Sequence, residues 1–195
     1  MSMDAVKELR ERTGVSVVQC KKALLEAGGD LEKAVKILRQ KSAAEASKKS
    51  ERALGSSAIA SYVHGGGDAG ALVELSSETD FVSKNEEFRS LARDIAMHVV
   101  AMKPRFLSRA EVPENEIKEM KKMFEEEAEK EGKPKEITKK ISESKLDTYL
   151  KENTLLEQKF VKNPEFTIED LVHNAVQKFG ENIAVVRFAR YSSGR

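Results

Sequence analysis

Three histidines, one cysteine, a run of three glycines and many carboxylates are the groups in this chain that could do chemistry. His64, His98 and His173 lie far apart and show neither H-x-x-x-H nor H-E-x-x-H spacing, so no helix face offers a pair of imidazoles to a metal. Cys20 falls among apolar positions with no histidine at a fixed spacing and reads as a small core residue rather than a nucleophile. A lone cysteine also excludes an intrachain disulfide and a cysteine-based zinc site. Gly65–Gly67 follow no strand–G-x-G-x-x-G–helix pattern, and G-x-x-x-x-G-K-[ST] is absent, so these glycines read as a hairpin turn and not as a phosphate cradle. The carboxylates between Glu114 and Glu136 alternate with lysines, as on a solvated helix face rather than in an acid–base pair. The residues support no covalent chemistry, no metal, no cofactor and no direct nucleotide binding.

Two short stretches remain that could make a contact surface: R-T-G-V-S-V-V from Arg12 to Val18, and T-D-F-V from Thr79 to Val82. In the first, Val17 and Val18 follow a tight turn, and both cannot point into a small core, so one exposed valine suits docking. In the second, Asp80 and Phe81 sit between a strand and a helix. There Phe81 either packs beneath the helix with Phe88 or is presented outward as an apolar wedge.

The elements that must carry these stretches follow from periodicity and turn residues. Residues 4–40 read as three short helices: Asp4 to Arg12 ending at Thr13-Gly14, Val17 to Ala27 capped by Ser16 and ended by Gly28-Gly29, and a third capped by Asp30. Residues 41–54, rich in Ala, Ser, Lys and Glu, read as a linker, extended or helical, between two packed units. Residues 55–195 then form an α+β core. It contains a hairpin of strands at 57–63 and 71–76 and a striped helix from Phe88 to Val100, opened by a Ser83–Glu86 capping box and closed by Pro104. A charged helical hairpin is inserted at 113–153, broken at Gly132 and Pro134, with one apolar seam through Ile117, Met120, Phe124, Ile137, Ile141, Leu146 and Leu150. Thr167 caps a last helix that Gly180 stops, and a strand from Asn182 to Tyr191 follows. In that strand Ile183 and Val185 point one way, and Ala184, Val186 and Phe188 the other.

Such a three-stranded antiparallel sheet, with helices on one face, leaves its second face wet and partly apolar. That predicts either a homodimer packed sheet against sheet or a hairpin folded back over the sheet. The remaining bounds come from composition. A net charge of +1 provides no field to draw nucleic acid or anionic lipid, so RNA binding through Lys48, Lys49 and Arg52 is disfavoured. No apolar run approaches about 20 residues, so no transmembrane helix is expected. The charged, helix-patterned N-terminus is no secretory signal, and a cytoplasmic protein is expected.

Leu9 to Val35, with L-R-E-R-T-G and C-K-K-A-L, and Glu74 to Phe88, with T-D-F-V, resemble the two signature regions of the bacterial elongation factor Ts family; Ile95 to Leu107 and Gly132 to Ile137 are also similar to it. The resemblance implies an N-terminal module of the ubiquitin-associated type, a linker, and an α+β core with a protruding helical hairpin. It implies a translation factor that binds elongation factor Tu with GDP and promotes GDP release so that GTP can load. Asp80 and Phe81 would reach the partner's GTPase domain near its magnesium site. Arg12, Thr13, Gly14, Val17 and Val18 would face the partner, with further contact around His173 to Phe179. Longer members of that family carry two related core subdomains. One set of three strands is read here, so the resemblance also implies a dimer that rebuilds the second half. The alternative is a binding scaffold without exchange activity.

Overall fold

A computed structural model describes residues 3–130 and 134–193. Three helices come first: α1 (Met3–Thr13), α2 (Val17–Glu26) and α3 (Leu31–Lys49). Ser16 and Asp30 cap α2 and α3, their side chains accepting the Gln19 and Lys33 amides. Gly14 turns the chain between α1 and α2 at φ +70°, a conformation a side chain resists. The third helix does not end near residue 40: α3 runs on to Lys49, so the stretch read as an extended or helical linker takes the helical form up to that residue. Ala, Lys, Glu and Ser there are helix-tolerant residues, and Ser42 and Ala46 are buried where α3 packs along α8 (Ile168–Phe179).

The sheet has the order β1-β2-β5, all antiparallel, with β1 (Ser56–Val63), β2 (Ala69–Ser77) and β5 (Ile183–Ser192). The helices α5 (Glu86–Met102) and α8 (Ile168–Phe179) cover one face. Between them and the sheet lies a core that includes Val73, Leu75, Phe88, Ile95, Val99, Ile168 and Val176. Thr167 and Asp170 form a reciprocal capping box on α8, and Gly180 ends the helix at φ +75°. His98 of α5 is buried; its Nδ1 accepts the Val161 amide, so Nε2 carries the proton donated to Gln158 Oε1 (3.0 Å).

Two local expectations fail here. A bulge at Val186 shifts the register of β5 against β2, so that Val185 pairs with Leu75 but Arg187 pairs with Glu74. Phe188 therefore lies opposite Val73 and packs on the core, not on the outer face. Ser83 is not the cap of α5: it ends a separate one-turn helix, α4 (Asp80–Ser83), and Asn85 caps α5 by accepting the Glu87 amide at 2.9 Å.

The inserted hairpin is α6 (Glu114–Lys130) against α7 (Lys135–Asn153). The Gly132 break lies outside the described residues. Its seam is less apolar than expected, since Thr138 and Ser142 are buried in it and Ile137 is exposed. A small hairpin that periodicity did not reveal, β3 (Lys159–Phe160) with β4 (Asn163–Thr167), precedes α8. It donates Phe166 to the core of α1–α3, where Phe166 packs with Val6, Leu9, Leu24 and Leu38. Three short helices bury little surface on their own, and this borrowed ring enlarges their core.

Candidate partner-binding site

The Thr79–Val82 stretch begins where β2 leaves the sheet. Thr79 is extended and does not cap α4; its hydroxyl donates to Glu181 Oε1 (2.6 Å) and its amide to Glu181 Oε2 (3.0 Å). Glu78 Oε1 accepts the Asn182 amide (2.6 Å) and an Arg52 guanidinium nitrogen (3.3 Å). The Asn182 side chain in turn donates to the Ser50 and Arg52 carbonyls. The loop is thus tied to the end of α8 and to the chain just past α3. The Asn182 amide, with Arg52 adding to it, holds the Glu78 carboxyl below its usual pKa. Gly55 is required beside it, because a Cβ there would lie 2.6 Å from the Glu78 carbonyl oxygen.

On this base α4 turns its residues in opposite directions. Val82 is buried in the core, while Phe81 is 82% exposed. The core alternative for Phe81 is therefore excluded, and the outward placement stands. Asp80 is also exposed and pairs with Lys84 at 2.6 Å, which lowers its pKa. Such an exposed pair contributes little and exchanges easily for another partner.

The Arg12–Val18 stretch divides differently. Arg12 points back into the fold. Its guanidinium donates to both carboxylate oxygens of Glu165 (2.5 and 3.1 Å) and to Glu32 (2.8 Å). The Glu165 bonds above all, then Glu32, raise its pKa further. Thr13 is buried: its hydroxyl donates to the Leu9 carbonyl, and its own carbonyl accepts from Asn174 Nδ2 of α8 (3.1 Å). Both residues are occupied in joining the N-terminal helices to the core. Val17 (36%) and Val18 (62%) are exposed, with Gly14 beside them on the surface. From His173 to Phe179, Asn174, Ala175 and Val176 are buried and Phe179 meets Phe88 edge-on at 6.2 Å; Lys178 is the exposed residue. Most of that segment builds the core instead of a surface.

Helix α8 connects the two stretches, through Asn174 to Thr13 and, just past its end, through Glu181 to Thr79. Sequence reasoning missed Glu78, Glu181 and Asn182. Glu78 stands about a hundred residues from Glu181 and Asn182, so no local spacing marks them; a polar residue after a strand or a Gly stop is their only trace. Among the described residues no cluster of three or more His, Cys, Asp or Glu could hold a metal ion, and no helix is long and apolar enough to cross a membrane.

The family model described as Elongation factor TS matches residues 31–195. Elongation factor Ts of Carboxydothermus hydrogenoformans is 48% identical over 97% of this chain and 87% of its own length. The protein of the same name from Caldanaerobacter subterraneus is 45% identical over 100% of this chain and 97% of its own. That of Thermosipho melanesiensis is 47% identical over 100% and 99%. With both the core and the N-terminal helices covered by such relatives, the chain belongs to the elongation factor Ts family.

Proposed function

We infer that this chain is the guanine-nucleotide exchange factor of elongation factor Tu: it binds the GDP form and promotes GDP release so that GTP can load. The observation that carries the reading is the exposed Phe81 on a one-turn helix whose next residue, Val82, is anchored in the core. Exchange needs no covalent step. The factor binds the nucleotide-free partner better than the nucleotide-bound one, and linkage weakens nucleotide binding by the same factor. An apolar ring held on a rigid base can displace the elements that grip magnesium and phosphate, with Asp80 adding an acceptor at their edge. Burying one phenyl ring contributes about 1.5–3 kcal/mol. At about 1.4 kcal/mol per decade, that supports one to two decades of acceleration. Val17 and Val18 supply a second contact, and this translation role belongs to the cytoplasm. The test is release of a fluorescent GDP analogue from elongation factor Tu: concentration-dependent acceleration supports the reading, and complex formation without acceleration leaves a scaffold.

We also propose that the open sheet face pairs two copies. Ile59 (69%), Val63 (65%), Leu72 (49%) and Tyr191 (74%) are exposed on it, and the α6–α7 hairpin does not cover them. Such an apolar patch favours association. Light scattering at micromolar concentration should return twice the chain mass of 21.7 kDa; a monomer mass contradicts it.

A further inference from the structure

β1 is an edge strand of unusual kind. Sheet edges are normally blunted by a charged residue, a proline, a bulge or short length. The other edge of this sheet follows that rule, since β5 carries the Val186 bulge and two arginines, Arg187 and Arg190. The β1 sequence, S-S-A-I-A-S-Y-V, has no charge and no proline, and it pairs with β2 without a break from Ser56↔Ser77 to Val63↔Gly70. The His64 amide donates to the Ala69 carbonyl at 2.8 Å. Antiparallel alternation then directs the backbone groups of even-numbered residues to β2 and those of Ser57, Ile59, Ser61 and Val63 outward.

Beside this edge runs a groove of about 400 Å³, formed by residues 57–61 with Arg89 and Arg93 of α5. Both arginines are exposed, and among the described residues neither has a carboxylate partner; Arg89 only reaches the Ser83 carbonyl, at 3.4 Å. They are one helical turn apart, a rise of about 6 Å. Alternate residues of a strand are about 6.8 Å apart. Two carboxylates at positions i and i+2 of an added strand therefore match the two guanidinium groups, while the residue between them falls on the face of Ile59.

We propose that β1 accepts an extended acidic segment of another protein as a fourth, antiparallel strand, read by main-chain bonds along the edge and by Arg89 and Arg93 at alternate side chains. This is a separate surface from the Phe81 site and does not depend on exchange. The probe is the peptide acetyl-Thr-Glu-Val-Glu-Val-Thr-amide with a rhodamine label, titrated with the full chain and followed by anisotropy. Saturable binding at least about tenfold tighter than that of the Glu→Lys peptide is expected, from charge-assisted pairing. The double variant Arg89→Gln/Arg93→Gln, on exposed positions, should remove that preference. N-methylation of the two valine nitrogens, which antiparallel addition aims at β1, should abolish binding with no change to the protein. Ser61→Pro, which removes an outward amide at an edge position where proline is tolerated, should do the same in a chain that still unfolds cooperatively. Equal binding of both peptides, indifference to N-methylation, or no saturable binding overturns the proposal. So does loss of peptide binding as the chain itself associates through β1, which would give the edge to a second copy.

Discussion

The turn at Arg12–Val18 and the turn at Thr79–Asn85 are built from similar materials, a few polar residues handing the chain to a helix, and both are tied to α8. They divide their residues in different ways. In the first, the polar residues Arg12 and Thr13 turn inward to Glu165, Glu32 and Asn174, while the apolar Val17 and Val18 remain outside. In the second, two adjacent apolar residues split, Val82 inward and Phe81 outward, on a loop fixed by Glu78 and Glu181. Residue type alone would have assigned inside and outside wrongly in both. What decides is which partner across the fold can receive each side chain.

The sharpest way to break this comparison is to give Phe81 and Val82 the same substitution. Val82→Asp buries an unpaired carboxylate and should cost on the order of 4 kcal/mol or more, abolishing cooperative unfolding near the wild-type temperature. Phe81→Asp should leave the melting curve in place. Calorimetry of the pair tests the split directly. Next, Asn174→Ala leaves the buried Thr13 carbonyl without its donor, a loss of about 1–3 kcal/mol. The melting temperature should fall by roughly 2–4 °C per kcal/mol, and the change should appear in thermal melts rather than in partner affinity. A smaller effect is expected from Val18→Ser. It should weaken the complex with elongation factor Tu several-fold, about 1 kcal/mol, at unchanged stability, as titration calorimetry would show.

The smallest effect separates the two turns by pH. The folded-state pKa of Glu78 is depressed, so its contribution is complete above the unfolded value of about 4.3 and is lost as pH falls through the folded one. Hydrogen-exchange protection of the Asn182 amide should therefore hold through the ordinary carboxylate range and decline only as the pH falls below it. The Asn174–Thr13 bond is between neutral groups and should not follow. In Glu78→Gln the decline should disappear.

Much of this architecture was legible before the structure. The stripes of α5 and α8, the caps Ser16, Asp30 and Thr167, and the Gly180 stop are local signals, and each lies where its chemistry requires. What was not legible depends on contacts between distant parts. The second half of α3 has a linker's composition, and only α8 alongside makes its Ala and Ser positions a buried face. The bulge that turns Phe188 to the core is a property of pairing with β2, not of the β5 sequence. Ser83 and Glu86 fit a capping box by spacing, yet Asn85 takes the cap because the chain first makes the separate turn of α4. Of the candidate site, the T-D-F-V and turn residues could be named, but the Glu78–Asn182 and Thr79–Glu181 ties that aim Phe81 could not.

The most direct test of the central claim is stopped-flow release of a fluorescent GDP analogue from elongation factor Tu by wild type and Phe81→Ala, at matched, saturating complex. Burial of one ring at the partner predicts acceleration by wild type, a tenfold to hundredfold loss in the variant, and the same melting temperature for both. Equal acceleration by a folded Phe81→Ala chain would contradict it.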